Sequence, residues 1–357
     1  MDGTLIPIQR RLTRVAGRER NQWAYNRQRI DPPARPTVFQ VELTNHCPMR
    51  CEMCPRTHRM SRPLGYMSRE VYERVIDQAM RSTSKLFLHH FGDSLVHPDI
   101  GEYIRYARSR GIGTYLSANP ILLTPPRVEA LVESGLDELV LSLDGVTSET
   151  SALVRGKAAA NVELAEKRVR ELLDHRRRAG SKKPFVIMQI VRQRQNLHEV
   201  DAWLRKWRAV EGVDRVKVKS YITWDGRDEA IERLRPSPRR EREPVVCDKP
   251  WTSVTVLWDG TVVPCCFDFD GLLALGDLAR EALDEIWHGE RAKALRRAHR
   301  DGDLSRVTLC AQCKDKEGYP VRKWYYPANR LLQRSRPLDD EWDGRGDDPA
   351  GDCGSCG

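Results

Sequence analysis

TVFQVELTNHCPMRCEMCP, residues 37–55, runs from a β-rich stretch straight into three cysteines. The stretch TVFQVELT (37–44) predicts the first strand, and the loop after it carries Cys47, Cys51 and Cys54 in a C-x3-C-x2-C pattern. Three thiolates this close on one loop can converge on one metal centre, and three rather than four leave an iron free to bind something else. Structural zinc sites are closed by four ligands, and no fourth Cys or His fits locally. His46 adjoins the loop and is read as structural.

Outward from this loop, β-rich runs alternate with amphipathic helical patterns. Candidate strands follow at 85–90, 113–117, 138–143, 184–191 and 215–220. Six strands joined by helical crossovers argue for a parallel α/β architecture. Six units fall short of the eight in a closed barrel, so the expected fold is an open, partial (β/α)6 TIM-like barrel. It is followed by a small C-terminal hairpin-plus-helix domain. The expected organisation is a basic N-terminal arm at 1–36, the barrel at 37–234 and a Pro- and charge-rich linker at 235–246. The small domain then takes 247–335, and an acidic, glycine-rich, mobile tail takes 336–357.

The chain has 357 residues, ten cysteines and a formal net charge of +9. No apolar run approaches a membrane span and the N-terminus lacks the apolar core of a signal peptide, so the expectation is a cytoplasmic protein. Ten cysteines in a reducing compartment favour metal binding over a disulfide framework. The basic runs are not interleaved with aromatics as a single-strand groove would be, and nucleic acid is not expected as a partner.

On Cys47, Cys51 and Cys54 after the first strand, residues 37–220 resemble the radical S-adenosylmethionine (SAM) family. The resemblance implies a [4Fe-4S] cluster on these three cysteines, with the amino and carboxylate groups of SAM on its open iron. One electron then cleaves SAM to methionine and a 5′-deoxyadenosyl radical, which takes a hydrogen atom from substrate. An electron donor such as flavodoxin or ferredoxin is implied. FGDS (91–94) sits where the family holds the SAM amino group, which puts Gly92 and Asp93 there, with aspartate shorter in reach than the usual glutamate. SLDG (142–145) resembles the ribose-contacting strand end and nominates Ser142. Arg155 follows as in relatives where an arginine pairs with the SAM carboxylate. Ser117 and Asn119 line the same mouth, and Met53 takes a position that is often aromatic, beside the adenine. Inward-pointing Glu42, His90 and Gln189 are the candidate acid, base or substrate-binding groups; His89 and His90 should face opposite ways, so at most one looks inward.

A second constellation starts beyond the linker. Cys247-x12-Gly260-x4-Cys265, a gap, and Cys310-x2-Cys313 resemble the twitch domain, the short form of the SPASM domain. The resemblance implies a second [4Fe-4S] cluster, held by all four cysteines and so closed to direct substrate binding. Its implied work is to accept or relay an electron. The alternative, a zinc ribbon, needs paired C-x2-C knuckles, and the first two cysteines here are unpaired. Cys266 should face away from the cluster as a small packed thiol. Cys353 and Cys356, in the tail, are read as non-ligating.

The resulting expectation is an enzyme that abstracts hydrogen from a small hydroxylated substrate (a sugar, aminocyclitol or sugar nucleoside) in natural-product biosynthesis. The outcome would be dehydrogenation, or redox-neutral dehydration or decarboxylation. The alternatives are peptide maturation, sugar epimerisation, which needs a thiol donor, and RNA modification.

Overall fold

The computed structural model describes residues 7–224, 226–238, 246–314 and 316, with side chains from residue 16 onward. The tail at 336–357, with Cys353 and Cys356, lies outside the described residues, as does most of the linker.

Six parallel strands follow one another across the sheet: β1 (Val38–Val41), β2 (Lys85–Phe87), β3 (Gly113–Ala118), β4 (Glu138–Ser142), β5 (Phe185–Val191) and β6 (Arg215–Lys219). Amphipathic helices such as Arg69–Ala79, Ile100–Ser109 and Val200–Arg208 return the chain along one face. Their ends follow local rules: the Ser68 hydroxyl accepts from Val71 N, the Thr147 hydroxyl from Thr150 N, and Gly135 closes its helix with a φ of 72°. The result is the expected open, partial barrel.

The small domain is joined to the barrel more closely than the sequence suggests. β7 (Ser253–Val256) lies parallel to β1, pairing Val38 with Ser253 and Val41 with Val256. β8 (Thr261–Val263) and β9 (Gly276–Asp277) then add antiparallel strands, giving one nine-stranded sheet in the order β6-β5-β4-β3-β2-β1-β7-β8-β9. Left bare, the β1 edge would expose unpaired N–H and C=O groups; β7 covers it, and Glu42 N donates to Val256 O at 2.8 Å. The apolar core is continuous too, running from Leu116 and Leu141 through Val254 and Val262 to Trp287. Gly260 turns the hairpin with a φ of 97°, a conformation that strains any residue with a Cβ.

The N-terminal segment read as an arm is a helix, Pro7–Asn26, docked on the far end of the chain. Tyr25 packs edge-on against Trp251 with ring centres 5.7 Å apart, and its hydroxyl donates to Val246 O. The Trp251 indole donates to Arg29 O and that of Trp287 to Ala34 O. These partners lie more than 200 residues away in sequence, which is why the segment looks free when read locally.

Candidate active site: two thiol groups at the strand ends

The cysteine loop leaves β1 and is clamped to the region after β4. Arg50 N donates to Arg155 O and Glu52 N to Val154 O, both at 3.1 Å. Cys51 is buried, with Cys47 and Cys54 half-buried around the small apolar cluster of Met49 and Ala159. Burial pushes the thiols of Cys47 and Cys54 up to about 12 and raises that of Cys51, which Arg155 opposes. The Arg155 guanidinium pairs with buried Asp144 at 2.6 Å and stands 3.9 Å from Cys51 Sγ. Among the described residues no three Cys, His, Asp or Glu side chains converge on a point as ligands of one ion would. A cluster that puts each thiolate on its own iron needs no such convergence.

The loop after β2 packs directly against this one. A Cβ on Gly92 would lie 2.1 Å from Thr44 O, so only glycine lets the two backbones approach this closely. Asp93 N donates to His46 O, and its carboxylate accepts from Leu95 N and Asn119 N. Burial pushes the Asp93 carboxyl up to about 6, because two backbone N–H groups and distant Arg155 do not replace its lost hydration. The Asn119 side-chain oxygen caps Ile121 N, leaving its amide nitrogen buried without a partner. Ser117 ends its strand beside His89, whose Nδ1 accepts from Ser117 N. The Ser142 hydroxyl accepts from Gln189 Nε2 at 3.2 Å, inside the barrel.

Glu42 and His90, read from sequence as acid and base, belong to a sealed structural network. Glu42 has no exposed surface and receives both Arg62 guanidinium nitrogens, at 2.9 and 2.7 Å. His90 Nδ1 donates to Glu42 Oε2 at 2.9 Å, and its Nε2 to Cys266 O at 2.8 Å. Burial alone would raise the Glu42 carboxyl, but His90 and Arg62 outweigh it and hold it below its ordinary value. Arg62 Nε also donates to Phe269 O, and Asp270 accepts from Ser61 and Arg62. The network ties residues 266–270 to β1 and has no face open to a substrate. His89 is the histidine on the inner layer, kept neutral by burial and by Lys219, with its pKa lowered to about 3.

Cys247, Cys265, Cys310 and Cys313 line one cavity, with Pro264 and His299 among the other walls. Burial raises the thiols of Cys247 and Cys265 and pushes Cys310 up to about 12. Cys265 Sγ accepts from Phe267 N at 3.2 Å. Cys266 is absent from this wall and is 5 % exposed. Both cysteines lie past the end of β8, in a bend and turn closed by Asp268 N donating to Cys265 O, and only Cys265 lines the cavity.

Trp224 is the residue the sequence reading missed. It follows β6 with a φ of 56°, a strained conformation for a bulky side chain. Its indole N–H donates to Met53 O at 2.9 Å, inside the first cysteine loop. Its ring packs on Phe91 at 4.8 Å and on Phe267 at 6.0 Å, the latter two residues past Cys265. One side chain thus touches the surroundings of both thiol groups. The available signal was an aromatic-Asp-Gly turn at 224–226, directly after the last barrel strand, where such barrels place their functional loops.

Comparison with known proteins agrees with this geometry. A family profile described as "Radical SAM superfamily" matches residues 41–206, and one described as "Iron-sulfur cluster-binding domain" (SPASM) matches 247–314. The chain is 25% identical over 293 residues to a tungsten-containing aldehyde ferredoxin oxidoreductase cofactor-modifying protein of Pyrococcus furiosus, covering 70% of this chain and 80% of that protein. It is 18% identical to an S-adenosyl-L-methionine-dependent 2-deoxy-scyllo-inosamine dehydrogenase of Niallia circulans, covering 78% of this chain and 93% of that one. Among solved structures, Streptococcus suis SuiB bound to its precursor peptide SuiA superposes with a TM-score of 0.58 at 15% identity, covering 78% of this chain and 70% of that one. The chain carries a radical SAM domain at residues 41–206 and a C-terminal iron–sulfur cluster-binding domain of the SPASM type at 247–314.

Proposed function

We propose that this enzyme oxidises a small polyhydroxylated ring, a cyclitol or sugar, in the space between its two thiol groups. The observation that carries the reading is the polar inner layer of the barrel. Ser142, Gln189 and Lys217 stand in register across β4, β5 and β6, a row suited to a ligand rich in hydroxyl groups, with Val140 and Ile187 two residues earlier on the same face.

The residues fit the cofactors of the family. Cys47, Cys51 and Cys54 would hold a [4Fe-4S] cluster, with Arg155 and Arg56 as the nearby cations. The buried Asp93 carboxylate has only distant Arg155 as a cation, and Asn119 has an unpartnered amide nitrogen. An ammonium group and a hydrogen-bond acceptor would satisfy them, and SAM has both. When bound, SAM and the cluster supply the 5′-deoxyadenosyl radical that takes the hydrogen atom. Gly92 lets the loop close on the cofactor, and Ser117, Ser142 and Met53 line its place. Gln189 faces the substrate and orients a hydroxyl group. Cys247, Cys265, Cys310 and Cys313 would hold the second cluster, which suits a reaction that removes electrons. Cys266 is buried and lies outside the cavity wall, which disfavours it as the hydrogen donor that epimerisation needs. No helix among the described residues is long and apolar enough to cross a membrane.

The test is anaerobic incubation of reconstituted enzyme with SAM, a one-electron donor and a panel of inositols, hexoses and aminocyclitols. The expected result is 5′-deoxyadenosine formed in step with a product lighter by two hydrogens. Product lighter by water or carbon dioxide, or turnover with peptides alone, sinks the reading.

A further inference from the structure

The inner face of β6 is cationic. Val216 and Val218 pack into the core between sheet and helices, so alternation turns Lys217 and Lys219 into the barrel. Register supports this placement: Lys217 pairs with Gln189, whose side chain reaches inward to Ser142, and Lys219 pairs with Val191. Lys219 stands close enough to depress His89 on the opposite side of the barrel and to act on Asp144. Lys217 is half-buried and makes no ion pair among the described residues.

The acids of the barrel do not account for Lys217. Glu42 is held by Arg62 and His90, and Asp144 by Arg155. Asp93 lies beside Asn119, at the end of β3. The thiols of the first loop have Arg155 and Arg56 as their cations, so the lysines are not needed to balance that cluster. The candidate SAM contacts occupy the ends of β2, β3 and β4, which leaves β5, β6 and the Trp224 loop for the substrate. A half-buried ammonium with no partner among the described residues favours a ligand that brings the opposite charge.

We propose that the substrate carries an anionic group, bound by Lys217 and Lys219 on the inner face of β6. This rests on the small-polyol reading of the same pocket and narrows it: an acidic sugar or cyclitol is favoured and a cationic aminocyclitol disfavoured. Gln189, between Ser142 and Lys217, is then placed to orient the neighbouring hydroxyl group.

The test measures affinity of the anaerobic, SAM-loaded enzyme for four rings of one shape: D-glucuronate, D-glucose 6-phosphate, D-glucose and D-glucosamine. At least one anionic ring should bind about tenfold or more tighter than glucose, with glucosamine weakest; the two anions separate carboxylate from phosphate. Lys217→Met should flatten the series and Lys217→Glu reverse its ends, with iron content and a thermal melt reporting whether each variant is folded. Affinity that ignores charge, or glucosamine binding tightest, overturns the proposal, and the wild-type series decides this even if the variants fail to fold. Tartrate and inorganic phosphate are run alongside. If they bind through Lys217 while no ring does, the anion site stands and the polyol reading falls; if no anion binds, the anion site falls.

Discussion

Cys47, Cys51 and Cys54 ride on one loop, with Arg155 reaching one of the sulfurs and Asp93 a short distance away. Cys247, Cys265, Cys310 and Cys313 arrive from three separate segments and meet in a cavity walled by Pro264, Leu295 and Leu309. The first group stands beside Arg155, Arg56 and Asp93, and the second in a cavity whose walls mix apolar side chains with Lys249, His299 and Lys316. Burial raises the thiols of Cys47, Cys51 and Cys54 and of Cys247, Cys265 and Cys310, so either cluster must displace protons to bind. The difference lies in what surrounds the metal. In the proposed reading the first site would keep polar groups for a further ligand, while the second would use its four cysteines to close the cluster. The Glu42–Arg62–His90 network joins them, gripping the chain just beyond Cys265 from β1.

The sharpest way to break this contrast is to remove one cysteine from each group. Cys51→Ala should abolish SAM cleavage and lower iron from about eight to about four per chain. Cys310→Ala should lose a similar amount of iron yet still form 5′-deoxyadenosine without product. Equal loss of SAM cleavage in both would erase the division of labour.

The next effect in size concerns the joint between the sites. Arg62→Met leaves Glu42 buried without its main cation and should cost about 3–5 kcal/mol in a denaturant melt. Iron should fall at the second site more than at the first, because residues 266–270 lose their anchor; an even loss would mean the network is not a joint.

The smallest effect is a pH dependence. In SAM-free protein the Asp93 carboxyl, raised to about 6, favours the folded state when protonated. That contribution is complete below about pH 4 and lost as pH rises through about 6, a change of about 2–3 kcal/mol. The stability of Asp93→Asn relative to wild type should therefore climb across this window, and saturating SAM should shrink the climb. A flat difference between the two proteins would remove Asp93 from the cation-binding role.

Local pattern made the first site and the barrel legible. Cys47, Cys51 and Cys54 sit within one loop, and the alternation of strands and helices is written in short-range periodicity. The spacing around Gly260 also separated Cys265 from Cys266, although the pair lies in a turn past the end of β8 and not on a strand. The errors came where partners are distant. Glu42 and His90 resemble catalytic groups until Arg62 and the Cys266 carbonyl are brought to them. The segment before residue 37 looks like an arm until Trp251 returns to meet Tyr25.

The sequence by itself therefore determined the chemistry of the thiol groups, the six-strand barrel and the hairpin, because each depends on residues close together in the chain. Only the tertiary structure decided that β7 completes the barrel's sheet, that Trp224 touches both cysteine surroundings, and that the inner face of β6 is cationic. Those facts depend on side chains from strands and loops far apart in sequence. Whether a buried charge is paired is a property of the assembled interior, and no local pattern records it.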